Sequence, residues 1–279
     1  MKKHNCSDCR REAKVLLYDL EVSPRLGYYY GTYDVTPIQE VEAPILLSIS
    51  WKWLGDKKVN SLTLDDRGLV DTHNDKLLVK ELWKLLDECE IACGHNSKRF
   101  DDKMANYFFI KHNMTPPSPY KEVDTLQIAR RFFKFDNNKL DYLDKFLGGK
   151  GKTETTYADV WYDLLNGDKR ARKKASDLMK KYNEQDVLAL ENIYKRLLPW
   201  ATNHPNMALH AGRPDVCPRC GFEADFRVRA YRKTGMQINA VQYECSHCHA
   251  FVTRALTKDE REELAEEGRL KTTYRNLSN

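Results

Sequence analysis

No apolar stretch in this chain reaches the ~20 residues a membrane-spanning helix needs, and the lysine-bearing N-terminus lacks the hydrophobic core of a secretory signal. Internal repeats and low-complexity tracts are missing too, which excludes solenoid and linker-like architectures. A strong net charge of either sign is also absent. A net charge of +5 over 279 residues permits binding to a polyanion without requiring it. These absences predict a soluble, cytoplasmic protein with no membrane partner.

What is present points to a folded globular core. With 41% hydrophobic and 11% aromatic residues, the chain can bury one core of ordinary size plus a small appendage. Its eight cysteines fall in four close pairs: Cys6/Cys9, Cys89/Cys93, Cys217/Cys220 and Cys245/Cys248. In a reducing compartment such pairs suggest metal ligation before disulfides.

The periodicity divides the chain into five parts. Residues 1–13 form an N-terminal arm. Residues 14–21 (KVLLYDLE) read as a buried strand with Val15, Leu17, Asp19 and Glu21 on one face. Residues 44–54 and 58–65 read as two more strands joined at Gly55-Asp56. A helical stripe covers residues 76–88, a short strand 91–95, and a helix 98–111 with Phe100, Met104, Tyr107 and Phe108 inward. A strand-to-helix passage begins at Val123-Asp124, and a last long helix spans 169–197. Strands followed by alternating strand and helix predict an α/β fold, a mixed β-sheet flanked by helices, over residues 14–200. The stretch 201–214 is read as a linker, 215–256 as a small β unit, and 257–279 as a charged tail or surface helix. Residues 27–42 read equally as an ordinary loop or as a substrate-contacting flap.

Three segments carry candidate chemistry. Asp19 and Glu21 are two apart on a strand and so point the same way. Asp101 follows another strand at the start of a helix. Tyr182 and Asp186 are four apart on a helix, hence on one face. Four converging carboxylates suit a pair of hard divalent cations, which at ~3.5–4 Å apart promote phosphodiester cleavage. Each pattern alone is ordinary surface chemistry, and Asn96 alone reads as the cap of the helix carrying Asp101. Their joint occurrence in this order is what points to a nuclease.

With those residues in view, residues 15–200 resemble the DEDD superfamily of 3′→5′ exonucleases, which have the ribonuclease-H-like fold. Asp19-Leu20-Glu21 resembles the first motif. Asn96 to Asp101, with Phe100 and the preceding Gly94-His95, resembles the second. Tyr182 to Asp186 resembles the third, in its tyrosine branch. The stretches VDTLQIARRFFKF, KLDYLDKFLG and YNEQDVLALENIY add to the likeness, and the whole chain also resembles exonuclease-like proteins of bacteriophages. The resemblance implies that Asp19, Glu21, Asp101 and Asp186 hold two Mg²⁺ or Mn²⁺ ions and that Tyr182 orients the attacking water. It implies that Asn96 and Phe100 position the terminal nucleotide, with Asp124 in a supporting place. The implied partner is nucleic acid with single-stranded or frayed 3′ ends, DNA before RNA, with a replication protein as a further possible partner and the host cytoplasm as the setting for a phage-encoded chain. An RNA 3′-end trimming enzyme is the neighbouring alternative; a catalytically inactive binding or adaptor protein is the alternative of another class.

Cys217-Pro-Arg-Cys220 and Cys245-Ser-His-Cys248 are two Cys-x-x-Cys knuckles separated by twenty-four β-prone residues. That spacing predicts a zinc ribbon with one structural Zn²⁺. A redox dithiol is the competing reading, and His247 or His249 stands close enough to replace one thiolate. From Gly212 to Leu256 seven Lys/Arg against four Asp/Glu leave +3, interleaved with aromatics, which suits a single nucleic-acid strand or a protein-docking role. Cys6 and Cys9, with Cys89 and then Cys93 as the candidate neighbours in this fold, raise a second zinc; a basic arm with free thiols is the other reading.

Overall fold

β1 (Val15–Val22) is covered on both sides: Val15 and Leu17 are buried on one face, and Leu16, Tyr18 and Leu20 on the other. Such a strand must lie inside a sheet. In the computed structural model, which describes residues 13–30, 36, 38–64, 73–151, 160–212, 215–223, 225–234 and 237–268, it does. β2 (Leu26–Tyr28) and β3 (Gln39–Glu42) form a separate two-stranded sheet. β4 (Leu46–Trp53) pairs antiparallel with β1, Asp19 opposite Ser50 and Glu21 opposite Ser48. β5 (Asn60–Thr63) extends β4 antiparallel. The two are joined through Gly55, whose φ of +102° is the left-handed backbone that glycine tolerates. The strand expected over 58–65 is therefore shorter.

On the other side of β1 the sheet turns parallel. α1 (Lys76–Glu88) leads into β6 (Ile91–Gly94), and α2 (Asp101–Lys111) leads into β7 (Lys121–Asp124). The strand order is β5-β4-β1-β6-β7. α1 buries Leu78, Val79, Leu82, Leu85 and Leu86, one stripe at helical spacing. α2 starts at Asp101, three residues later than its sequence pattern suggests. Phe100 therefore belongs to the preceding turn and, at 45% exposure, is not part of the core face.

α3 (Thr125–Phe132), α4 (Leu140–Phe146), α5 (Val160–Asn166) and α6 (Lys169–Leu197) complete this unit. The Tyr18 hydroxyl donates to Asp102 on α2 at 2.5 Å, whereas Asp19, the next residue, accepts from Asn183 on α6 at 2.5 Å. Adjacent strand residues point to opposite faces. α2 and α6 thus cover opposite sides of the sheet, and the α/β mixed sheet with flanking helices is as expected.

A buried ion pair lies inside this packing. Lys52 on β4 meets Glu191 on α6, with side-chain exposures of 7% and 10%, and Lys195 adds a second contact to Glu191 at 2.7 Å. Burial alone would raise the Glu191 carboxyl, but hydrogen bonds from Lys195 and Lys52 hold it below its ordinary value. Glu191→Ala leaves the Lys52 ammonium buried without its counter-charge, so chemical denaturation should show a loss of about 3–5 kcal/mol. Replacing both residues with apolar ones of similar size should restore most of that. A single-variant loss below ~1 kcal/mol would mean that Lys52 escapes to water.

The remaining described residues form a second unit from Leu198 onward. Within the stretch 201–214 lies a short helix, α7 (Met207–Ala211), capped by the Asn206 side chain on the Ala208 N–H. β8 (Phe226–Thr234), β9 (Gln237–Cys245) and β10 (Phe251–Ala255) form an antiparallel sheet in the order β10-β9-β8. α8 (Lys258–Glu266) starts with a reciprocal Thr257–Glu260 capping box and buries Leu264 alone. Its charged sequence is a surface helix over these residues. One small cluster of the unit is Ile238, Val241, Leu256 and Leu264, with Tyr231 and Tyr243 against them; Met207 and Val216 are buried elsewhere in it. Among the described residues, no helix is long and apolar enough to cross a membrane.

Candidate metal centre and cysteine cluster

The period-two alternation of β1 that buries Leu17 carries Asp19 and Glu21 on the same face, toward α6. α6 brings Asp186 to meet them. One carboxylate oxygen from each of Asp19, Glu21 and Asp186 lies within 4.8 Å of the other two. Three anionic groups this close repel one another strongly unless a cation or protons intervene. Oxygen donors converging from a strand and a helix fit a hard divalent cation.

Asp101 stands beside this group. Its Oδ1 accepts from the backbone N–H of Leu20, between Asp19 and Glu21, at 3.2 Å. Burial pushes its carboxyl up to about 7 against the hydrogen bonds from the Asp101 and Leu20 backbone, with Asp102 and Glu21 adding to the rise. Tyr182 lies one helical turn before Asp186 and is half-buried.

The structure also shows two residues that the motif reading missed. Asn183 donates to Asp19 Oδ2 at 2.5 Å and accepts from the Ser48 hydroxyl at 3.0 Å. Ser48 lies opposite Glu21 in the β1–β4 register. This relay fixes the rotamer of Asp19. The available signal was spacing: Asn183 is three residues before Asp186, on the same helical face.

Asn96 is not the helix cap. It adopts φ +67°, a left-handed conformation that Asn accepts more readily than most residues, and its carbonyl accepts from Arg99 and Phe100 in the turn before α2. Its own N–H donates to Asp124 Oδ1 at 2.9 Å. Asp124 also accepts from the Leu126 and Gln127 N–H groups at the start of α3, so it pins the Asn96 turn to that helix. His95 is held by Thr125 at 2.8 Å and by the Asn138 carbonyl at 2.9 Å. Asn96 borders an open hollow of about 830 Å³ with Arg99, Arg130 and Lys139 on its rim.

Comparison with known families decides the lineage. A family model described as the RNase H superfamily matches residues 52–198, more than half of the chain. The chain belongs to the RNase H superfamily. The matched span contains Asn96, Phe100, Asp101, Tyr182 and Asp186, while Asp19 and Glu21 precede it. No curated protein matches the chain. Among solved structures, the RNase H superfamily chain is similar in fold to the family B DNA polymerase from the hyperthermophilic archaeon Pyrobaculum calidifontis. The TM-score is 0.51 at 16% identity, over 82% of this chain and 32% of the polymerase. The chain therefore spans about a third of that polymerase's length.

Beyond its carboxylates, this RNase H superfamily chain carries one more metal-type cluster among the described residues: Cys217, Cys220, Cys245 and Cys248. The Cys217–Cys248 and Cys220–Cys245 sulfurs are 3.8 and 4.0 Å apart. Thiolates at the corners of a tetrahedron around zinc, each 2.3 Å from it, stand ~3.8 Å apart. The small antiparallel sheet and this donor set fit a zinc ribbon. His247 instead stacks on Phe222, centroids 4.0 Å apart, and His249 contacts Glu244.

The proposed second zinc set falls partly outside the described residues, which do not include Cys6 and Cys9. Cys89 is buried and donates to the Leu86 carbonyl, with burial pushing its thiol up to about 12. Cys93 is fully buried on β6 and is also pushed up by burial. Neither joins a metal-type group among the described residues.

Proposed function

We propose that this chain is a metal-dependent 3′→5′ exonuclease that hydrolyses phosphodiester bonds at single-stranded or frayed nucleic-acid ends, DNA before RNA. The observation that carries the reading is the meeting of Asp19, Glu21 and Asp186 within 4.8 Å, with Asp101 bonded to the strand between the first two. Membership of the RNase H superfamily, whose nucleases use divalent metals, supports it. The DNA preference draws on the likeness to a DNA polymerase.

In this reading Asp19, Glu21 and Asp186, with Asp101 beside them, would hold two Mg²⁺ or Mn²⁺ ions. When bound, such ions lower the pKa of water and stabilise charge on the leaving oxygen. The protein's own part is positioning. Asn183 and Ser48 hold Asp19 in one rotamer, and the Leu20 N–H holds one oxygen of Asp101. Tyr182 orients the attacking water, and Asn96 and the exposed Phe100 place the terminal nucleotide. The scissile bond is the one that links the last nucleotide to the strand, so mononucleotides leave one at a time.

The zinc ribbon adds a nucleic-acid contact in the same reading. Phe222 and His247 stack at the tips of the two knuckles, and Arg227, Arg229 and Arg232 are exposed on β8. Phosphate contacts from arginine and base contacts from aromatic rings suit a single strand.

The deciding assay uses DNA and RNA oligonucleotides, single and duplex, labelled at either end, with Mg²⁺ or Mn²⁺. Stepwise shortening of 5′-labelled single-stranded DNA is the expected result. Faster shortening of matched RNA would transfer the assignment to RNA 3′-end trimming. Internal cuts, or no cleavage of any substrate, would end the exonuclease reading.

A further inference from the structure

From residue 169 to residue 181 the chain carries seven Lys or Arg and one Asp, a net +6, whereas the whole protein is only +5. The other 266 residues together are thus slightly acidic. Essentially all the excess positive charge is concentrated in the first three and a half turns of α6.

The charge is also sorted by face. Ala175, Ser176 and Met179 are buried against the rest of the unit, while Lys169, Arg170, Lys173, Lys174 and Lys181 are exposed. These five border a surface hollow of about 730 Å³, completed by Asp177 and by Leu178, itself 37% exposed. Lys169 and Lys173, and Arg170 and Lys174, stand four apart, where like charges destabilise a helix. Asp177 offsets part of this by pairing with Lys173. A merely solvated face would gain from alternating signs instead.

We propose that this basic face of α6 is a binding surface for the phosphate backbone of the nucleic acid, outside the carboxylate site. The inference rests on the nuclease reading and deepens it. The same rigid helix carries the cations and, beyond Lys181, Tyr182 and Asp186. From Lys169 to Asp186 the helix rises ~25 Å, long enough to follow several phosphates of a strand whose terminus lies at the carboxylates. Lysine and arginine spaced along a helix contact phosphates, which carry no sequence information, so the surface is indifferent to sequence.

The test separates this surface from the cleavage site. Binding of the full-length protein to a single-stranded oligonucleotide is measured by anisotropy at several salt concentrations, without divalent metal. Each phosphate neutralised contributes ~0.7 to the slope of log affinity against log salt for a single strand. The variant Lys169→Gln/Arg170→Gln/Lys173→Gln/Lys174→Gln should reduce that slope by roughly 2–3 and weaken binding at low salt at least tenfold. A control neutralising the exposed Lys76, Lys80 and Lys84 on α1 should leave the slope as in the wild type. With Mg²⁺ and saturating substrate, the α6 variant should keep its maximal cleavage rate while its KM rises.

An unchanged slope in a folded α6 variant overturns the proposal and leaves the exonuclease reading standing. Equal loss in the α1 control overturns it as well, because the effect is then only net charge. Unchanged nucleic-acid binding, with loss only of binding to an acidic protein, assigns the face to that partner instead. A wild type that neither binds nor cleaves nucleic acid removes the functional reading itself.

Discussion

Asp19→Ala should abolish metal-dependent release of nucleotides from 3′ ends, by on the order of 10³-fold or more, while leaving the fold intact. Asp19 belongs to a group of three carboxylates whose oxygens lie within 4.8 Å of one another. Removing one carboxylate removes a ligand and also relieves mutual repulsion. It also leaves the buried Asn183 amide without its acceptor, so the two effects oppose each other and the variant should unfold near the wild-type temperature when divalent metal is absent. Adding Mg²⁺ or Mn²⁺ should raise the melting temperature of the wild type, because an ion that binds only the folded state stabilises it, and should raise that of the variant far less. The pair of measurements separates a metal-site role from a structural one. A purified Asp19→Ala protein that degrades DNA and RNA at the wild-type rate ends the assignment, whatever its stability.

The meeting of these side chains was legible because it depends on two simple periods. Period two on β1 places Asp19 and Glu21 together, and a four-residue step on α6 puts Tyr182 on the face of Asp186. The long helix was readable from end to end over 169–197, because its buried stripe of Met179, Val187, Leu190 and Tyr194 persists at helical spacing. Helix starts were less readable. Phe100 looks like the first inward residue of α2, but Asn96 enters a left-handed turn, the four residues after it are not helical, and Phe100 ends up exposed. Buried polar partners were invisible for a different reason. Ser48, Asn183, Lys52 and Glu191 resemble surface residues in the sequence, and only long-range pairing reveals that each is satisfied inside. The pairing of β2 with β3 was also hidden, since neither strand has an alternating buried face to announce it.

Cys245→Ser should unfold the C-terminal unit while the sheet of the N-terminal unit survives. The two units differ in how much apolar surface they bury. The Lys14–Leu197 unit buries a continuous set of side chains that includes Leu16, Tyr18, Leu47, Ile49, Leu82 and Phe108. Among the described residues, the ribbon and α8 bury one small cluster, Ile238, Val241, Leu256 and Leu264, with Val216 and Ala250 buried besides. So few buried apolar side chains do not offset the conformational entropy lost on ordering the ribbon. Zinc bound to four thiolates adds its binding free energy to folding, and small metal-dependent units of this kind fold only with the ion in place. Hydrogen exchange reads the outcome unit by unit. Amides of β8, β9 and β10 should lose protection in Cys245→Ser, while those of β1, β4 and β6 should keep theirs. Substitution is a better probe here than chelation, because a chelator also strips the carboxylate site of its cations and so confuses the two centres. Elemental analysis of the wild type should give one zinc per chain; two would bring Cys6 and Cys9 into a second site. Full protection of β8–β10 in a zinc-free protein would show that the hairpin is stable without metal and that the cysteine cluster has another use.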